Sequence, residues 1–185
     1  TDAVNIRLIA GRFGGRILEG SGTNRTHPMG ERIRNAIFNK INGEMDFEGI
    51  RVLDAFAGSG ALGFEALSRG AATVTFIERD RVAQKVISHN IKTLDVSDSS
   101  KLIKASVSSW LATTTEEYDL IFVDPPYHDP QLSTAMEILR LLKPNGLMVL
   151  SLPSRSEVPT ETGVVVVDNR SYGNAAIAYY RREDA

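Results

Sequence analysis

The stretch Arg51-Val-Leu-Asp-Ala-Phe-Ala-Gly-Ser-Gly-Ala-Leu-Gly63 has the pattern of a buried strand that runs into a glycine turn and then a helix. The apolar residues of 52–56 form a run of strand length, and Gly58 and Gly60 supply the backbone freedom that a sharp strand-to-helix connection needs. Glycines leave bare backbone N–H groups near the helix start, where orphan donors and the helix dipole favour a negative group. We therefore expect this turn to bind a ligand.

Asp54 helps to decide what kind of ligand the turn binds. The segment Gly58-Ser-Gly-Ala-Leu-Gly63 also satisfies the G-x-G-x-x-G pattern of dinucleotide-binding turns. A carboxylate four residues before the first glycine would repel a pyrophosphate, whereas it would attract a cationic amino group. A ligand with both an ammonium and a carboxylate fits better, and S-adenosylmethionine carries both. A purely structural turn, with Ser59 capping the helix, is the alternative.

Composition limits the classes of protein that need to be considered. The 185 residues are 42% hydrophobic and 24% charged, which is typical of a globular domain. No apolar run approaches the roughly 18 residues of a membrane span, and a signal-peptide core is missing, so we expect a soluble, cytoplasmic protein. The absence of cysteine excludes disulfides, thiolate metal sites and cysteine nucleophiles. His27, His89 and His128 are scattered, so we expect no metal site.

The net charge of −2 conceals a basic front segment. Residues 1–40 contain seven Lys and Arg against three Asp and Glu, a net +4, so the remainder of the chain carries about −6. A basic segment can bind a phosphate backbone, although a solvated, solubilising surface explains a modest excess equally well. The arginines that we predict to contact a polyanion are Arg7, Arg12, Arg16, Arg25, Arg32 and Arg34.

The front segment is predicted to form a hairpin and a helix. Residues 6–18 have the pattern of two short strands around paired glycines, with arginines interspersed. A helix begins at Glu31 and ends at Gly43, because isoleucines recur there at every fourth position. Arg32 and Arg34 lie off that apolar stripe, so we expect them to reach outward toward a bound polyanion.

The body of the chain alternates strands and helices with short connections, which is typical of a doubly wound parallel sheet. Its second strand, 73–77, ends at Glu78. An acid about 20 residues past the glycines lies at the edge of the ligand crevice in a right-handed βαβ unit, where it can accept both ribose hydroxyls. Asp80 is predicted to cap the next helix, and His89 and Asn90 are expected on the surface of that helix.

Ser106 follows the third predicted strand, 102–105. A polar group there can touch an adenine, although a serine in a loop is often only a turn former. The remaining predicted elements complete the sheet, and they are a helix over 132–142, a strand over 147–152, and a terminal antiparallel hairpin of 163–168 with 175–180.

The second informative motif, Asp124-Pro-Pro-Tyr127, follows a buried strand over 118–123. Ligands of open sheets bind outside the carboxyl ends of strands where the strand order reverses, and the first and fourth strands flank that point, so both motifs should open into one crevice. Residues before proline are held extended and proline donates no N–H, so the turn presents only acceptors, which suit a flat amino group. Tyr127 offers a ring on which a flipped base can stack. A stiff turn without function is the alternative.

The pairing of Asp54-Ala-Phe-Ala-Gly-Ser-Gly60 with Asp124-Pro-Pro-Tyr127 resembles the class I S-adenosylmethionine-dependent amino-methyltransferases. The order of the flanking parts, with 7–16 in front, 32–38 next and Arg170-Ser-Tyr-Gly173 at the end, resembles the bacterial RsmD family, which methylates the exocyclic 2-amino group of a guanine in small-subunit ribosomal RNA. The likeness spans nearly the whole chain. The two motifs imply the reaction type, and the flanking parts imply the substrate.

The resemblance also implies an architecture. It is an α/β fold with a doubly wound, Rossmann-like, seven-stranded and mostly parallel sheet. Residues 1–45 would be a basic hairpin-and-helix extension that contacts RNA, and residues 46–185 the methyltransferase domain. S-adenosylmethionine is the implied cofactor, and ribosomal RNA or the small ribosomal subunit the implied partner. We further expect a monomer, with no metal and no membrane partner.

The resemblance assigns roles to individual residues. Asp54 and the backbone of 58–60 are matched to the methionine end of the cofactor, Glu78 to its ribose, and Asp124-Pro-Pro-Tyr127 to the catalytic loop. The predicted cofactor-binding residues are Asp54, Phe56, Ala57, Gly58, Ser59, Gly60, Glu78, Arg79, Ser106 and Asp124, and the predicted catalytic residues are Asp124, Pro125, Pro126 and Tyr127.

Other functions remain open at the level of sequence. An adenine amino-methyltransferase acting on DNA would use the same acceptor-only loop. A non-catalytic RNA-binding or ribosome-assembly factor could share the fold, and an NAD-dependent oxidoreductase could use the glycine turn. The absence of cysteine excludes the covalent route to carbon-5 methylation of pyrimidines.

Overall fold

A seven-stranded sheet lies at the centre of the molecule, whose computed structural model describes residues 5–20 and 29–183. The strands are β1 (Ile6–Arg7), β2 (Ile17–Leu18), β3 (Arg51–Ala55), β4 (Thr73–Ile77), β5 (Ser100–Ile103), β6 (Tyr118–Val123), β7 (Leu142–Pro153), β8 (Val164–Tyr172) and β9 (Ala175–Arg182). The α-helices are α1 (Glu31–Asn42), α2 (Ala61–Ser68), α3 (Arg81–Leu94), α4 (Val107–Leu111) and α5 (Leu132–Ile138).

The strand order of the large sheet is β5-β4-β3-β6-β7-β9-β8. The first five of these strands are parallel, and β9 runs antiparallel to both of its neighbours. The order reverses between β3 and β6, which therefore bring the glycine turn and the Asp124 turn to the same edge. The predicted doubly wound, mostly parallel α/β sheet is confirmed.

Helices cover both faces of the large sheet. On one face, α1, α2 and α3 pack through side chains that include Phe38, Phe64 and Ile87. On the other face, α4 and α5 pack through Leu111 and Ile138. None of the described helices combines the length and the apolarity that crossing a bilayer requires.

The N-terminal hairpin shares the main core with the sheet. Strands β1 and β2 pair antiparallel, as the sequence pattern predicts, and Leu8 and Leu18 are buried against α1 and the sheet. The buried carboxylate of Glu65 in α2 accepts the backbone N–H groups of Ile9 and Ala10 at 2.9 and 3.1 Å. The hairpin is thus fixed to the helix that follows the glycine turn.

Arg34 lies inside the protein, so the prediction that it reaches outward to a polyanion is wrong. Its side chain is only 3% exposed, and its Nη1 lies 3.3 Å from Oε1 of Glu65. Its Nη2 donates to the backbone carbonyl of Arg7 at 3.1 Å. Burial lowers the pKa of Arg34, and the charge of Glu65 opposes that decrease. Arg34 therefore connects α1 to α2 and is not available to RNA.

The chain after β5 differs from the prediction. The strand ends at Ile103 instead of residue 105, and a helix that the sequence analysis did not predict, α4, follows it. Ser106 is the N-cap of this helix, because its hydroxyl accepts the backbone N–H of Ser109 at 3.2 Å. The serine at this position is thus a helix start, and it was mistaken for a loop residue.

Strand β7 begins at Leu142 instead of residue 147, because α5 ends at Ile138 and a short 3-10 turn follows. Its pairing with β6 is irregular at this point, since Tyr118 lies opposite Leu142 while Leu120 lies opposite Leu147. Residues 143–146, which precede the predicted strand, therefore form an irregularity within β7. The terminal hairpin, β8 with β9, is confirmed.

Candidate active site

A cavity of about 340 Å³ opens at the carboxyl ends of β3, β4, β5 and β6. Its volume and position are those of a small-molecule site in an open α/β sheet. Seven predicted site residues line it, and they are Phe56, Gly58, Glu78, Arg79, Ser106, Asp124 and Pro126. The predicted residues Asp54, Ala57, Ser59, Gly60, Pro125 and Tyr127 lie outside its wall.

The glycine turn depends on two positions that exclude a side chain. Gly60 precedes α2 with φ +84°, and a Cβ there would also lie 2.6 Å from the ring of Phe64. Gly63 packs so closely on β4 that a Cβ would lie 2.4 Å from the ring of Phe76. The glycines thus allow α2 to start directly against the sheet beside the cavity.

Asp54 lies beneath the turn rather than in the cavity wall. Its side chain is 1% exposed, and its Oδ2 accepts the backbone N–H of Gly63 at 3.0 Å. Burial raises the pKa of Asp54 well above its ordinary value, and the negative charges of Asp124 and Glu78 raise it further, while the Gly63 hydrogen bond opposes the increase. Burial therefore favours the neutral form of Asp54 unless a cation is bound nearby.

Glu78 holds the connection between the turn and α3. Its Oε1 accepts the backbone N–H of Gly58, and its Oε2 accepts that of Asp80, both at 2.8 Å. Burial raises its pKa despite these hydrogen bonds. Asp80 caps α3 by accepting the backbone N–H of Ala83 at 3.0 Å, as predicted. A carboxylate fixed in this way at the cavity edge can accept hydroxyl donors from a ligand.

Asp124 begins the predicted catalytic loop directly after β6. Its side chain is partly exposed to the cavity, and burial of the rest raises its pKa from the ordinary 3.8 to about 6. The buried Oγ of Ser151 lies close enough to oppose this increase, although it makes no hydrogen bond of ordinary geometry. A pKa near 6 makes Asp124 a stronger proton acceptor than a free aspartate.

Tyr127 packs against the main core, on the face of the sheet that α1, α2 and α3 cover. Burial raises the pKa of its hydroxyl, which lies near Ser151. The two prolines between Asp124 and Tyr127 lie in different environments, because Pro125 is buried and Pro126 lines the cavity. The stacking role predicted for Tyr127 remains a prediction.

The three carboxyl groups of Asp54, Glu78 and Asp124 give the site its electrostatic character. All three have raised pKa values through burial, and Asp54 is raised further by the other two. A cation in the cavity would relieve this repulsion and favour the ionised carboxylates. Within residues 5–20 and 29–183, no three His, Cys, Asp or Glu side chains are arranged to hold a metal ion. The arrangement favours an organic cation over an anionic pyrophosphate.

The predicted basic residues are found in different environments. Arg7 forms an exposed ion pair with Glu31, with 2.8 Å between Nε and Oε1. Arg12 and Arg16 lie against the ring of Phe13, at 4.4 and 6.0 Å from its centre, and both are exposed. Arg32 is exposed and Arg34 is buried, as described above, while Arg25 lies outside the described residues.

Asn90 is a site-supporting residue whose predicted surface position is wrong. It is fully buried, and its side chain bonds both the N–H and the carbonyl of Glu19, at 3.0 and 2.9 Å. It also donates to the carbonyl of Ser59 in the glycine turn at 3.4 Å. Asn90 lies four residues after Val86 and four before Leu94, so it is on the apolar face of α3. This spacing is the sequence signal that would have predicted its burial.

His128 and Gln131 also line the cavity, beyond the predicted loop. Gln131 has φ +45°, in the left-handed region that non-glycine residues rarely adopt. Its Nε2 donates to Oδ2 of Asp129 at 3.3 Å. Proximity to the Asp124 motif was the available signal for both residues, since they follow it within a few positions.

A family model described as Conserved hypothetical protein 95 matches residues 6–181. The chain belongs to this family. Two curated relatives are both named Ribosomal RNA small subunit methyltransferase D. The protein of Escherichia coli K12 is 32% identical over 96% of this chain and 90% of its own length, and that of Haemophilus influenzae is 31% identical over 95% and 93%. The predicted RsmD family membership and methyltransferase class are confirmed.

A solved structure supports the same grouping. The yhhF structure of Escherichia coli is 30% identical and superposes with a TM-score of 0.87, covering 98% of this chain and 100% of its own. The match includes both the N-terminal hairpin and the terminal β8–β9 hairpin, because it spans nearly all residues. The yhhF structure therefore shares the whole architecture of this chain and not only its central sheet.

Proposed function

We propose that this protein transfers a methyl group from S-adenosylmethionine to the exocyclic 2-amino group of a guanine in small-subunit (16S) ribosomal RNA. The observation that carries the proposal is that Glu78 and Asp124 line one cavity at the strand-order reversal, with Asp54 buried beneath the glycine turn next to it. The relatives named for small-subunit ribosomal RNA support the choice of substrate. We also propose that the protein acts as a monomer in the cytoplasm.

The residues of the cavity fit S-adenosylmethionine. The cofactor carries an ammonium and a sulfonium, and these positive charges would favour the ionised forms of the three carboxyls, which burial alone disfavours. Glu78 is positioned to accept ribose hydroxyls, and Ser106 and Val107 line the part of the cavity next to it. When bound, the cofactor supplies a methyl group that its sulfonium has already activated. The protein's contribution is then alignment and electrostatic stabilisation.

Asp124 is proposed to bind the target amine and to stabilise the charge that develops on it. An aromatic amine is a poor nucleophile because its lone pair is delocalised into the ring. Hydrogen bonds to the Asp124 carboxylate and to the Pro125 carbonyl would favour a more tetrahedral nitrogen. With its pKa near 6, the ionised Asp124 predominates at neutral pH and can also accept the proton that the amine releases.

The first test replaces Asp124 by asparagine, which keeps the shape of the side chain and removes its charge. We expect methyl transfer from labelled S-adenosylmethionine to small-subunit RNA to fall at least about tenfold, equivalent to about 1.4 kcal/mol. Calorimetry should show that the variant still binds the cofactor, about tenfold more weakly because the Asp124 charge is lost, so methyl transfer is measured at saturating cofactor. Unchanged turnover would remove Asp124 from the catalytic role. Binding of NAD in place of S-adenosylmethionine would reject the proposed reaction class.

A further inference from the structure

A basic groove lies beside the candidate active site, at the β5 edge of the sheet. Its walls are the exposed face of α3 and the segment just after β5. Arg81, Lys85 and Lys92 recur at intervals of four and seven residues, so they project from one side of the helix. Lys104 and His89 complete the set of basic side chains that line the groove.

The four Lys and Arg side chains of the groove lack counter-charges. All are exposed, and none forms an ion pair with another residue that the structure describes. Nine other Lys and Arg side chains in the described ranges do pair with Asp or Glu. Glu19 brings a carboxylate to the groove, 3.8 Å from Nε2 of His89. In a chain with a net charge of −2, this concentration of unpaired positive charge indicates a polyanion site.

One end of the groove adjoins the cavity. Arg81 directly follows Asp80, and Lys104 directly precedes Ala105, and both Asp80 and Ala105 line the cavity wall. Arg79, also in that wall, is exposed on the same connection. Positive charge therefore reaches the rim of the cavity on the side where Glu78 and Ser106 lie.

The other end of the groove adjoins the N-terminal hairpin. Nη2 of Arg16 donates to the carbonyl of Thr93 at 3.0 Å, next to Lys92 in α3. Arg16 and Arg12 share the ring of Phe13, so their charges continue the groove onto the hairpin. Between Arg81 and Lys92 the helix rises about 16 Å, so the charges form a line instead of a point.

We infer that this groove binds the phosphate backbone of the RNA substrate and guides it from the hairpin to the cavity. The inference rests on the proposed function for the identity of the polyanion. A line of Lys and Arg side chains that form no ion pair suits a chain of phosphates, because each contact with a phosphate releases condensed counterions. A line that ends at the cavity fits a strand that presents one of its bases to the site better than it fits a planar lipid surface.

The test compares RNA affinities of the full chain across a range of salt concentrations. The variant Lys85→Gln/Lys92→Gln removes two charges from the groove. The control Arg51→Gln/Lys143→Gln removes the same charge from the amino-terminal ends of the interior strands β3 and β7, away from the groove. Lys85→Arg/Lys92→Arg keeps the charge in place. A fluorescent small-subunit RNA transcript is the probe, and thermal melting verifies the fold of each variant.

We expect the groove variant to bind RNA about tenfold more weakly and to lower the salt slope by about 1.4, whereas the control and the arginine variant keep the wild-type slope. Equal effects in the groove variant and the control would overturn the inference, as would a loss of binding to phosphatidylserine vesicles with RNA affinity intact. If wild-type protein methylates no RNA, the proposed function fails. If it methylates RNA and the groove variant keeps the wild-type slope, only the groove inference fails.

Discussion

Asp124 stabilises the folded protein only when it is protonated. Its pKa is about 6 in the folded state against 3.8 ordinarily, so the folded state binds the proton more tightly than the unfolded chain. The stability that protonation provides is complete below about pH 4 and is lost as the pH rises through about 6. The difference amounts to at most about 3 kcal/mol, since part of the side chain reaches the cavity.

Replacing Asp124 by asparagine should therefore stabilise the protein at about pH 8, by up to about 3 kcal/mol, and have little effect near about pH 4. Denaturant titrations at the two pH values measure the difference. Asp98→Asn serves as the control, because Asp98 is exposed. If the two substitutions change the free energy of unfolding equally at the higher pH, the Asp124 carboxyl is not desolvated. Its proposed role as a proton acceptor with a raised pKa would then be unsupported.

The raised pKa values of the site carboxyls also predict how cofactor affinity depends on pH. A sulfonium favours the ionised carboxylates, so affinity for S-adenosylmethionine should rise about tenfold between about pH 5 and about pH 7.5, as Asp124 loses its proton. S-adenosylhomocysteine lacks the sulfonium charge and should show a smaller increase. Calorimetry with both compounds gives the two profiles. If the two affinities depend on pH in the same way, the carboxyls do not interact with the charge of the sulfonium.

At the scale of elements, Glu65 connects the hairpin and α1 to the helix behind the glycine turn. Its carboxylate accepts two backbone N–H groups from the hairpin and pairs with Arg34 and Arg69, at 3.3 and 2.9 Å. Glu65→Ala would leave the buried Arg34 unpaired, so we expect a loss of about 3–5 kcal/mol in unfolding free energy. Glu31→Ala, which breaks an exposed pair, should cost far less. Similar losses in the two variants would contradict the role of Glu65.

The sequence predicted elements well where a local signal sets them. Apolar periodicity and Gly43 delimited α1, and glycines marked the turn before α2. The prediction missed α4, whose five residues are too few for a periodic pattern. It also misplaced the start of β7, because an irregularity in strand pairing depends on the neighbouring strand. Arg34 was misassigned for a similar reason, since its partner Glu65 lies 31 positions away in the chain.

At the scale of the whole molecule, the meeting of the two motifs was predictable and the buried support of the site was not. The strand-order rule placed the ends of β3 and β6 side by side, and the structure confirms that arrangement. Asn90 joins Glu19 to Ser59, across 71 and 31 positions, and no local pattern encodes those partners. The hairpin, the glycine turn and α3 thus act as one support for the cavity.

The central claim is that the carboxyl-lined cavity and the Asp124 loop act on one guanine amine. Mass spectrometry of nucleosides from small-subunit RNA tests it most directly, after incubation with S-adenosylmethionine and either wild-type protein or Asp124→Asn. We predict N2-methylguanosine with the wild-type protein and at least about tenfold less with the variant. Methyl groups found only on adenine, or the same yield of methylguanosine from both proteins, would contradict the account.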